Sequence, residues 1–351
     1  MAATLEGLKV LDFMWVIAGP TATRYLADFG ATVVRVESSK RVETGRTIGP
    51  FHDGVPGPEN SGIFLNMNTN KYGITLDMGT DEGKDVVRDL VRWADIVAES
   101  FSPRAMRNWG LGYEQLREIK PDLIMLSTCL FGQSGPYSEI AGFGTMGSAI
   151  SGFVNLAGNE DGPPVGPFGA YTDWVAPRFT VAALMAALDH RNRTGEGCYI
   201  DQSQAESGMH FMSTALLDYE VNGRVTERNG NRDSRRAPHG VYPAAGDDKW
   251  VAISVEDEEA WENFYEAAFM PALGGDPRFE TLEQRLKNED ALNDIIAAWT
   301  AQQEAAETER ILQEAGVAAN AVLDSIDAYA DPQLQHRGEF VELDHPVHGT
   351  T

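Results

Sequence analysis

Short β-branched runs alternate with amphipathic segments over about the first 130 residues of this 351-residue chain. Residues 8–13 and 32–36 read as buried strands, and residues 80–82 supply a cap and first-turn acids for a helix with one apolar face. Such alternation is typical of βαβ units around a parallel sheet. The sequence therefore predicts a doubly wound α/β domain. Further strands are predicted at 73–76, 95–98 and 123–127.

The chain changes character near residue 223. Before this point lie a stretch rich in glycine and proline at 134–169 and two predicted helices, at about 174–191 and 202–222. After it come a polar, arginine-rich loop, a predicted strand at 250–255 and helices rich in Ala and Glu. We therefore expect a large domain at 1–222, a smaller α+β domain at 223–330 and a linker at 331–351 that returns toward the large domain.

Composition excludes several classes of protein. With 28 Lys and Arg against 53 Asp and Glu, the net charge of −25 argues against nucleic-acid binding, which needs clustered basic residues. No apolar stretch approaches the roughly 18 residues of a membrane helix. Residues 1–6 do not have the pattern of a signal peptide, so we expect a cytoplasmic protein without a membrane partner. Cys129 and Cys198 lie far apart with no metal-ligand spacing, and we expect neither a disulfide nor a metal site.

One glycine pattern, at 142–147, matches the spacing of a dinucleotide-binding turn. It does not follow the first strand of a βαβ unit, so a flexible glycine loop is the favoured interpretation. The first βα turn, at 15–20, is a better ligand-binding candidate, because ligands of open α/β sheets lie outside the carboxyl ends of the strands. The motifs of serine hydrolases, P-loop NTPases and zinc proteases do not occur.

Several polar residues have both a structural and a functional interpretation. Asp173 precedes a predicted helix, where its carboxylate can cap the first amides or act as a desolvated nucleophile, and the cap is favoured. Lys71 either reaches a phosphate or is a solvated surface lysine. Arg104 and Arg107 follow a predicted strand, at the ligand-binding face or on an exposed helix. His239, in a Pro-Gly setting, is favoured as a turn residue.

Taken in order, segments spread along the chain resemble the class III (CaiB/BaiF type) CoA-transferases, the family of formyl-CoA:oxalate, carnitine and benzylsuccinate CoA-transferases. So many ordered matches over most of the chain are highly specific. They occur at 5–12, 18–20, 26–31, 35–37, 65–71, 94–97, 109–112, 132–137, 193–197 and 237–243.

The resemblance implies a catalytic role for Asp173. In the family this carboxylate attacks an acyl-CoA thioester to form a mixed anhydride, and the CoA thiolate returns to form an aspartyl-CoA thioester. Coenzyme A is thus a substrate, and no tightly bound cofactor is implied. Glycine-rich loops, including Gly230 and Asn231 with His239, are implied to close the site against water. The implied CoA contacts are Ile17, Ala18, Asn68, Asn70, Lys71, Ser100, Phe101, Arg104, Arg107, Ala141, Gly142 and Phe143.

The sequence departs from the family at three places. Ser38 and Ser39 precede Lys40 and Arg41, where the family often has a basic residue directly after the acid of the second strand. Strict alignment puts Asn108 where the family has an arginine contact. The family also continues beyond the position of Thr351, which predicts a truncated chain. The implied fold is a Rossmann-like large domain plus a small domain in an interlocked dimer, as a homodimer or with a related chain.

Other functions stay open. An acyl-CoA racemase or epimerase of the same fold uses a histidine in a Gly-His-Asp segment, but residues 141–144 contain none. A noncatalytic CoA-binding subunit of a heteromeric transferase is the second alternative, and a nicotinamide-dependent enzyme the third. Phe13, Met14, Trp15 and Trp174 indicate an apolar or aromatic acyl group, such as an aromatic or branched dicarboxylic acid that exchanges with succinyl-CoA.

Overall fold

The computed structural model describes residues 3–350, and the chain divides into two compact units. The larger unit contains the residues up to Gly158 together with Gly162–Arg228. The smaller unit contains Asn159–Asp161 and the chain from Asn229 onward. Each unit has its own apolar core.

A six-stranded parallel sheet forms the centre of the larger unit, in the order β3-β2-β1-β4-β5-β6. This order reverses direction between β1 and β4, as in doubly wound folds that bind ligands at the reversal point. The predicted α/β class is confirmed. The strands are β1 (Lys9–Phe13), β2 (Thr32–Glu37), β3 (Tyr72–Thr75), β4 (Ile96–Glu99), β5 (Ile124–Cys129) and β6 (Cys198–Ser203).

Helices cover both faces of this sheet. Neighbouring residues of a strand point to opposite faces, so Val10 packs in one core and Leu11 in the other. Burying each such side chain contributes about 1.5–3 kcal/mol. The helices are α1 (Ala18–Asp28), α2 (Gly62–Met67), α3 (Asp81–Trp93), α4 (Arg104–Asn108), α5 (Tyr113–Ile119), α6 (Gly144–Ile150), α7 (Phe153–Leu156), α8 (Tyr171–Thr194), α9 (Gln204–Met209) and α10 (Ser213–Asn222).

Three local predictions are wrong in this unit. The helix α8 begins at Tyr171 rather than near 174, and its N-terminal cap is Ala170, without a side-chain bond. Asp173 therefore lies inside the first turn and does not cap the helix. The glycine pattern at 142–147 is not wholly a loop, because α6 begins at Gly144. Residues 198–203, partly assigned to a helix, form the edge strand β6, and the helix after it begins at Gln204.

The smaller unit is built on a three-stranded antiparallel sheet in the order β7-β8-β9. Trp261, Phe264 and Phe279 are buried in its core. His239 begins β7, so the predicted turn at this position is wrong. Its strands are β7 (His239–Pro243), β8 (Trp250–Ser254), β9 (Ala318–Val322), β10 (Asp344–His345) and β11 (Gly349–Thr350). Its helices are α11 (Glu258–Ala267), α12 (Pro271–Gly274), α13 (Leu282–Lys287), α14 (Glu289–Thr300), α15 (Ala305–Glu314), α16 (Ser325–Ala330) and α17 (Pro332–Arg337).

Within residues 3–350, none of the helices has the length and apolar character that crossing a membrane requires. The same residues contain no group of three or more His, Cys, Asp or Glu side chains arranged to hold a metal ion.

Candidate active site

A cavity of about 800 Å³ opens at the carboxyl ends of the parallel strands. Its walls include Phe13 at the end of β1, Glu37 at the end of β2, Ser100 after β4 and Cys129 at the end of β5. In open α/β sheets this edge is where ligands bind, because the strand order reverses there and leaves a crevice. The cavity is therefore the candidate active site.

Asp173 lies in the wall of this cavity, in the first turn of α8. The residue is only 5% exposed. Burial raises the pKa of its carboxyl group to about 6, while hydrogen bonding from the Gly144 backbone N–H and the Gln204 side chain acts in the opposite direction. The carboxylate is thus stabilised by neutral donors rather than by a neighbouring cation, and it is ionised at neutral pH.

The glycine pattern at 142–147 brings a backbone close to this carboxylate. A Cβ atom at Gly144 would lie 2.6 Å from Cγ of Asp173, which is closer than real Cβ contacts. The Thr172 hydroxyl donates a 2.9 Å hydrogen bond to the Gly144 carbonyl and ties the start of α8 to the start of α6. The absence of a side chain at Gly144 therefore lets the start of α6 lie directly against Asp173 of α8, the candidate nucleophile.

Eight of the predicted site residues line this cavity, and two of them connect neighbouring loops. The Trp15 N–H donates to Ser100 Oγ at 2.8 Å, which joins the loops after β1 and β4. Phe101 packs edge-on against Trp15, at 5.6 Å between ring centroids, and against Trp109, at 5.5 Å. The eight are Ile17, Ala18, Ser100, Phe101, Ala141, Gly142, Phe143 and Asp173.

The remaining predicted CoA contacts are not among the residues that line the cavity. The Lys71 ammonium is buried and donates to Asp12 Oδ2 at 3.1 Å, to the Pro20 carbonyl at 2.9 Å and to Asn68 Oδ1 at 3.0 Å. Its pKa is lowered to about 8, mainly by burial. The Asn70 side chain donates to Asp28. Lys71 and Asn68 thus support the start of α1 from within the unit.

Arg104 and Arg107 are also engaged elsewhere. Arg104 Nε lies 2.6 Å from Glu139 Oε2, and Arg107 Nε donates to the Pro103 carbonyl at 2.7 Å. Asn108, at the last position of α4, is likewise absent from the cavity wall.

The predicted loop residues lie in the smaller unit, around a separate cavity of about 380 Å³. His239 Nδ1 is paired with the Asn231 carbonyl oxygen at 2.5 Å, and both residues line that cavity together with Gly230.

Many wall residues were not predicted as site residues, among them the polar side chains Arg41, Thr128, Cys129 and Gln204. Arg41 is the one Lys or Arg among the described residues that line the cavity, and its guanidinium lies 5.3 Å from the Trp15 ring centroid. The sequence carried a signal for it, namely the displaced basic pair after Ser38 and Ser39. Within 4 Å, no carboxylate of the described chain pairs with Arg41, whereas Glu37 is held by Arg46 at 2.8 Å.

The buried carboxylate of Glu99 supports the wall residue Phe101. This carboxylate is 2% exposed, and Oε2 accepts the Phe101 N–H at 2.7 Å. Burial raises its pKa to about 7, although the hydrogen bonds from Ser127 and the Phe101 backbone lower it. Gln133 Nε2 donates to the Phe101 carbonyl at 3.2 Å, so Glu99 and Gln133 fix both backbone polar groups of Phe101.

A buried carboxylate beside neutral donors, in a large cavity at the ends of a parallel sheet, defines an enzyme site of the α/β class. The chain belongs to CoA-transferase family III, which its sequence matches over residues 5–351. It is a class III CoA-transferase, and the family predicted from the sequence is confirmed.

Three CoA-transferases match nearly the whole chain. It is 33% identical to succinyl-CoA–D-citramalate CoA-transferase of Chloroflexus aurantiacus, over 97% of this chain and 84% of that protein. It is 32% identical to succinate–glutarate CoA-transferase of Agrobacterium fabrum (97% and 85%). It is 34% identical to succinyl-CoA:mesaconate CoA-transferase of Haloarcula hispanica (97% and 86%).

Solved structures share the architecture. A CAIB/BAIF family protein from Brucella suis superposes with a TM-score of 0.90 at 31% identity, over 98% of this chain and 90% of that chain. A protein from Mycobacterium tuberculosis superposes with a TM-score of 0.82 at 26% identity, over the same shares.

Proposed function

We propose that this CoA-transferase works through covalent intermediates on Asp173. The observation that carries the proposal is the position of the Asp173 carboxylate, buried in the wall of the large cavity and faced by neutral donors. A carboxylate that is desolvated but still ionised is a stronger nucleophile than one in water. Its raised pKa, about 6, reflects that desolvation.

The proposed reaction has four steps, and Asp173 is a free carboxylate again at the end. An Asp173 oxygen attacks the thioester carbonyl, the C–S bond breaks, and CoA leaves as a thiolate from a mixed anhydride. The thiolate attacks the Asp173 carbonyl and releases the donor acid, which leaves an aspartyl-CoA thioester. The acceptor carboxylate attacks that thioester, the C–S bond breaks, and the CoA thiolate leaves from a second mixed anhydride. The thiolate then attacks the acceptor carbonyl, which gives the acceptor acyl-CoA and restores the Asp173 carboxylate. The Gly144 N–H and the Gln204 amide stabilise the oxygen charge that returns to Asp173.

Coenzyme A is proposed to lie along the walls formed by Ile17, Ala18, Ser100 and Phe101. Arg41 supplies the positive charge for a phosphate group of CoA, since no other Lys or Arg lines the cavity among residues 3–350. The Trp15 ring below its guanidinium offers a flat surface for an adenine base. Lys71 contributes by stabilising the start of α1 rather than by direct contact.

Succinyl-CoA is the proposed donor, and a dicarboxylic acid the proposed acceptor. The support comes from the relatives, which are named for succinyl-CoA or succinate paired with citramalate, glutarate or mesaconate. A racemase is disfavoured, because no histidine is among the described residues of the cavity wall.

A homodimer is proposed on the exposed surface of α10. None of the residues of this helix is buried. Four of its apolar side chains are more than half exposed: Leu216, Leu217, Tyr219 and Val221. An apolar surface of this kind marks an interaction site. We propose that a second copy covers this surface in the interlocked arrangement.

Mass spectrometry of the intact protein tests the covalent mechanism. Wild type, Asp173→Asn and the control Asp189→Asn, an exposed residue of α8 outside the cavity wall, are incubated with succinyl-CoA. We expect a CoA adduct on the peptide that contains Asp173, removed by hydroxylamine, in wild type and the control only. Turnover by wild type without an adduct, or an adduct in Asp173→Asn, would contradict the mechanism. Wild type that binds CoA but forms no adduct and shows no turnover would indicate the noncatalytic subunit.

A further inference from the structure

Two polar atoms at the cavity have no hydrogen-bond partner among the described residues. They are Thr128 Oγ1 and Gln204 Oε1, and each atom is buried. Thr128 as a whole is 1% exposed. Leaving a buried polar atom unpaired costs about 1–3 kcal/mol, so native proteins keep few such atoms. Two of them in the wall of one cavity call for a ligand group that satisfies both.

Thr128 and Gln204 line the same cavity as Asp173. Thr128 lies near the end of β5 and is the register partner of Gln202 in β6. Gln204 follows two residues later, as the first residue of α9. The side chain of Gln204 that hydrogen-bonds toward Asp173 is the same one that carries the unpaired Oε1. A group near that oxygen is therefore close to any acid held on Asp173.

The remainder of the wall shows that the two polar atoms are not a general feature of the cavity. Phe13, Val36, Met78, Leu130 and Met146 also line the cavity, so apolar surface is plentiful. Valine has nearly the shape of threonine and would fill the place of Thr128 without an unpaired oxygen. The hydroxyl of Thr128 is thus a cost in the free protein, which a bound partner would offset.

Resting on the proposed function, we propose that Thr128 and Gln204 form a subsite for a hydroxyl group on the acid that Asp173 carries. An amide oxygen only accepts, whereas a threonine hydroxyl can donate. A substrate hydroxyl does both, so it donates to Gln204 Oε1 and accepts from Thr128 Oγ1. If the acid has a hydrogen atom instead of the hydroxyl, both Gln204 Oε1 and Thr128 Oγ1 stay unpaired. If it has a second carboxylate there, Gln204 Oε1 faces a negative charge. The enzyme therefore selects a hydroxy acid over the same acid without the hydroxyl.

Matched acceptor pairs test this subsite with succinyl-CoA as the donor. Citramalate and methylsuccinate differ by one hydroxyl, as do 2-hydroxyglutarate and glutarate. We expect wild type to favour the hydroxylated member of at least one pair by 10-fold or more in kcat/KM, since polar sites reject analogues that lack their partner. Thr128→Val should remove most of that preference by lowering kcat/KM for the hydroxy acid alone. Thr128→Ser, which keeps the hydroxyl, should retain it.

Stability and adduct formation keep the outcomes apart. Thr128→Val should have an unchanged or higher Tm and should still form the Asp173 adduct from succinyl-CoA, because it loses only an unpaired hydroxyl. A wild type that favours the hydroxylated member of neither pair would overturn the subsite, as would equal losses for both members in Thr128→Val, which would locate the recognised group on the CoA arm. Absence of the adduct in wild type would instead count against the covalent mechanism.

Discussion

Gly144 and Asp173 are in such close contact that a methyl group on Gly144 would lie 2.6 Å from Cγ and 2.7 Å from Oδ1 of the aspartate. The first residue of α6 is therefore shaped around the side chain of α8 that we propose as the nucleophile. Neither helix could carry the site without the other, because the Thr172 hydroxyl also bonds to the Gly144 carbonyl.

Gly144→Ala should lower kcat by about 100-fold, since displacing a reacting group by about 1 Å costs that much. The Cβ atom has no room beside the carboxylate, so Asp173 must move. Steady-state kinetics and thermal unfolding measure both effects. The matched control is Gly166→Ala, because no atom lies within 4 Å of a Cβ at Gly166. Wild-type kcat in Gly144→Ala would show that the carboxylate position does not matter.

The pH dependence of kcat/KM should reflect Asp173, which is active when ionised. Its pKa is raised to about 6, so activity should rise with pH through about 6. Gln204 lowers this pKa, and Gln204→Met should therefore move the inflection to higher pH. Glu206→Gln, an exposed change on the same helix, should leave it in place. The rate of adduct formation with succinyl-CoA, measured against pH, gives the inflection for each variant. The same inflection in Gln204→Met and wild type would show that Gln204 does not affect the pKa of Asp173.

Much of the fold was readable from the sequence because β1, β2, β4 and β5 are short, apolar and largely buried. The edge strand β6 was missed because two of its six residues, Tyr199 and Asp201, are exposed and interrupt the apolar pattern. A signal did exist, because Ser203 and Glu206 have the spacing of a helix start, and the Ser203 side chain accepts the Glu206 N–H.

The site was only partly readable, for a different reason. Asp173 itself came from the family resemblance, since its position before a predicted helix favoured a cap. Helix α6 was missed because Gly144 and Gly147 have low helix propensity, and packing against α8 overrides that preference. For Lys71 the residues alone favoured a solvated surface lysine and the resemblance implied a CoA contact, but the sequence could not show that the ammonium is buried 3.1 Å from Asp12.

Replacing Glu99 should change how stability depends on pH. Its pKa rises from 4.5 to about 7 in the folded protein, so between these values the folded state keeps a proton that the unfolded state has lost. Stability due to this group is present below about 4.5 and falls as pH rises through 7, by about 3 kcal/mol. Glu99→Gln should flatten that slope and be more stable than wild type at pH 8. Urea unfolding at pH 5 and pH 8 measures the free energy of unfolding of each variant. The control is Glu118→Gln, because Glu118 is exposed. The same pH dependence of stability in Glu99→Gln and wild type would contradict the burial of a neutral Glu99.

Arg41→Met should weaken CoA binding without weakening the fold. Arg41 has no carboxylate partner within 4 Å in the described chain, so its loss removes no ion pair, but a charge-assisted bond to phosphate is worth about 1.5–3 kcal/mol. We expect KM for succinyl-CoA to rise about 10- to 100-fold, with Tm unchanged and a smaller effect of added salt on KM, because one ionic contact is gone. Lys120→Met is the matched control, since the Lys120 ammonium pairs with Asp122 and neither residue lines the cavity. Equal KM values in the two variants would mean that the phosphate groups of CoA are bound by residues outside this cavity.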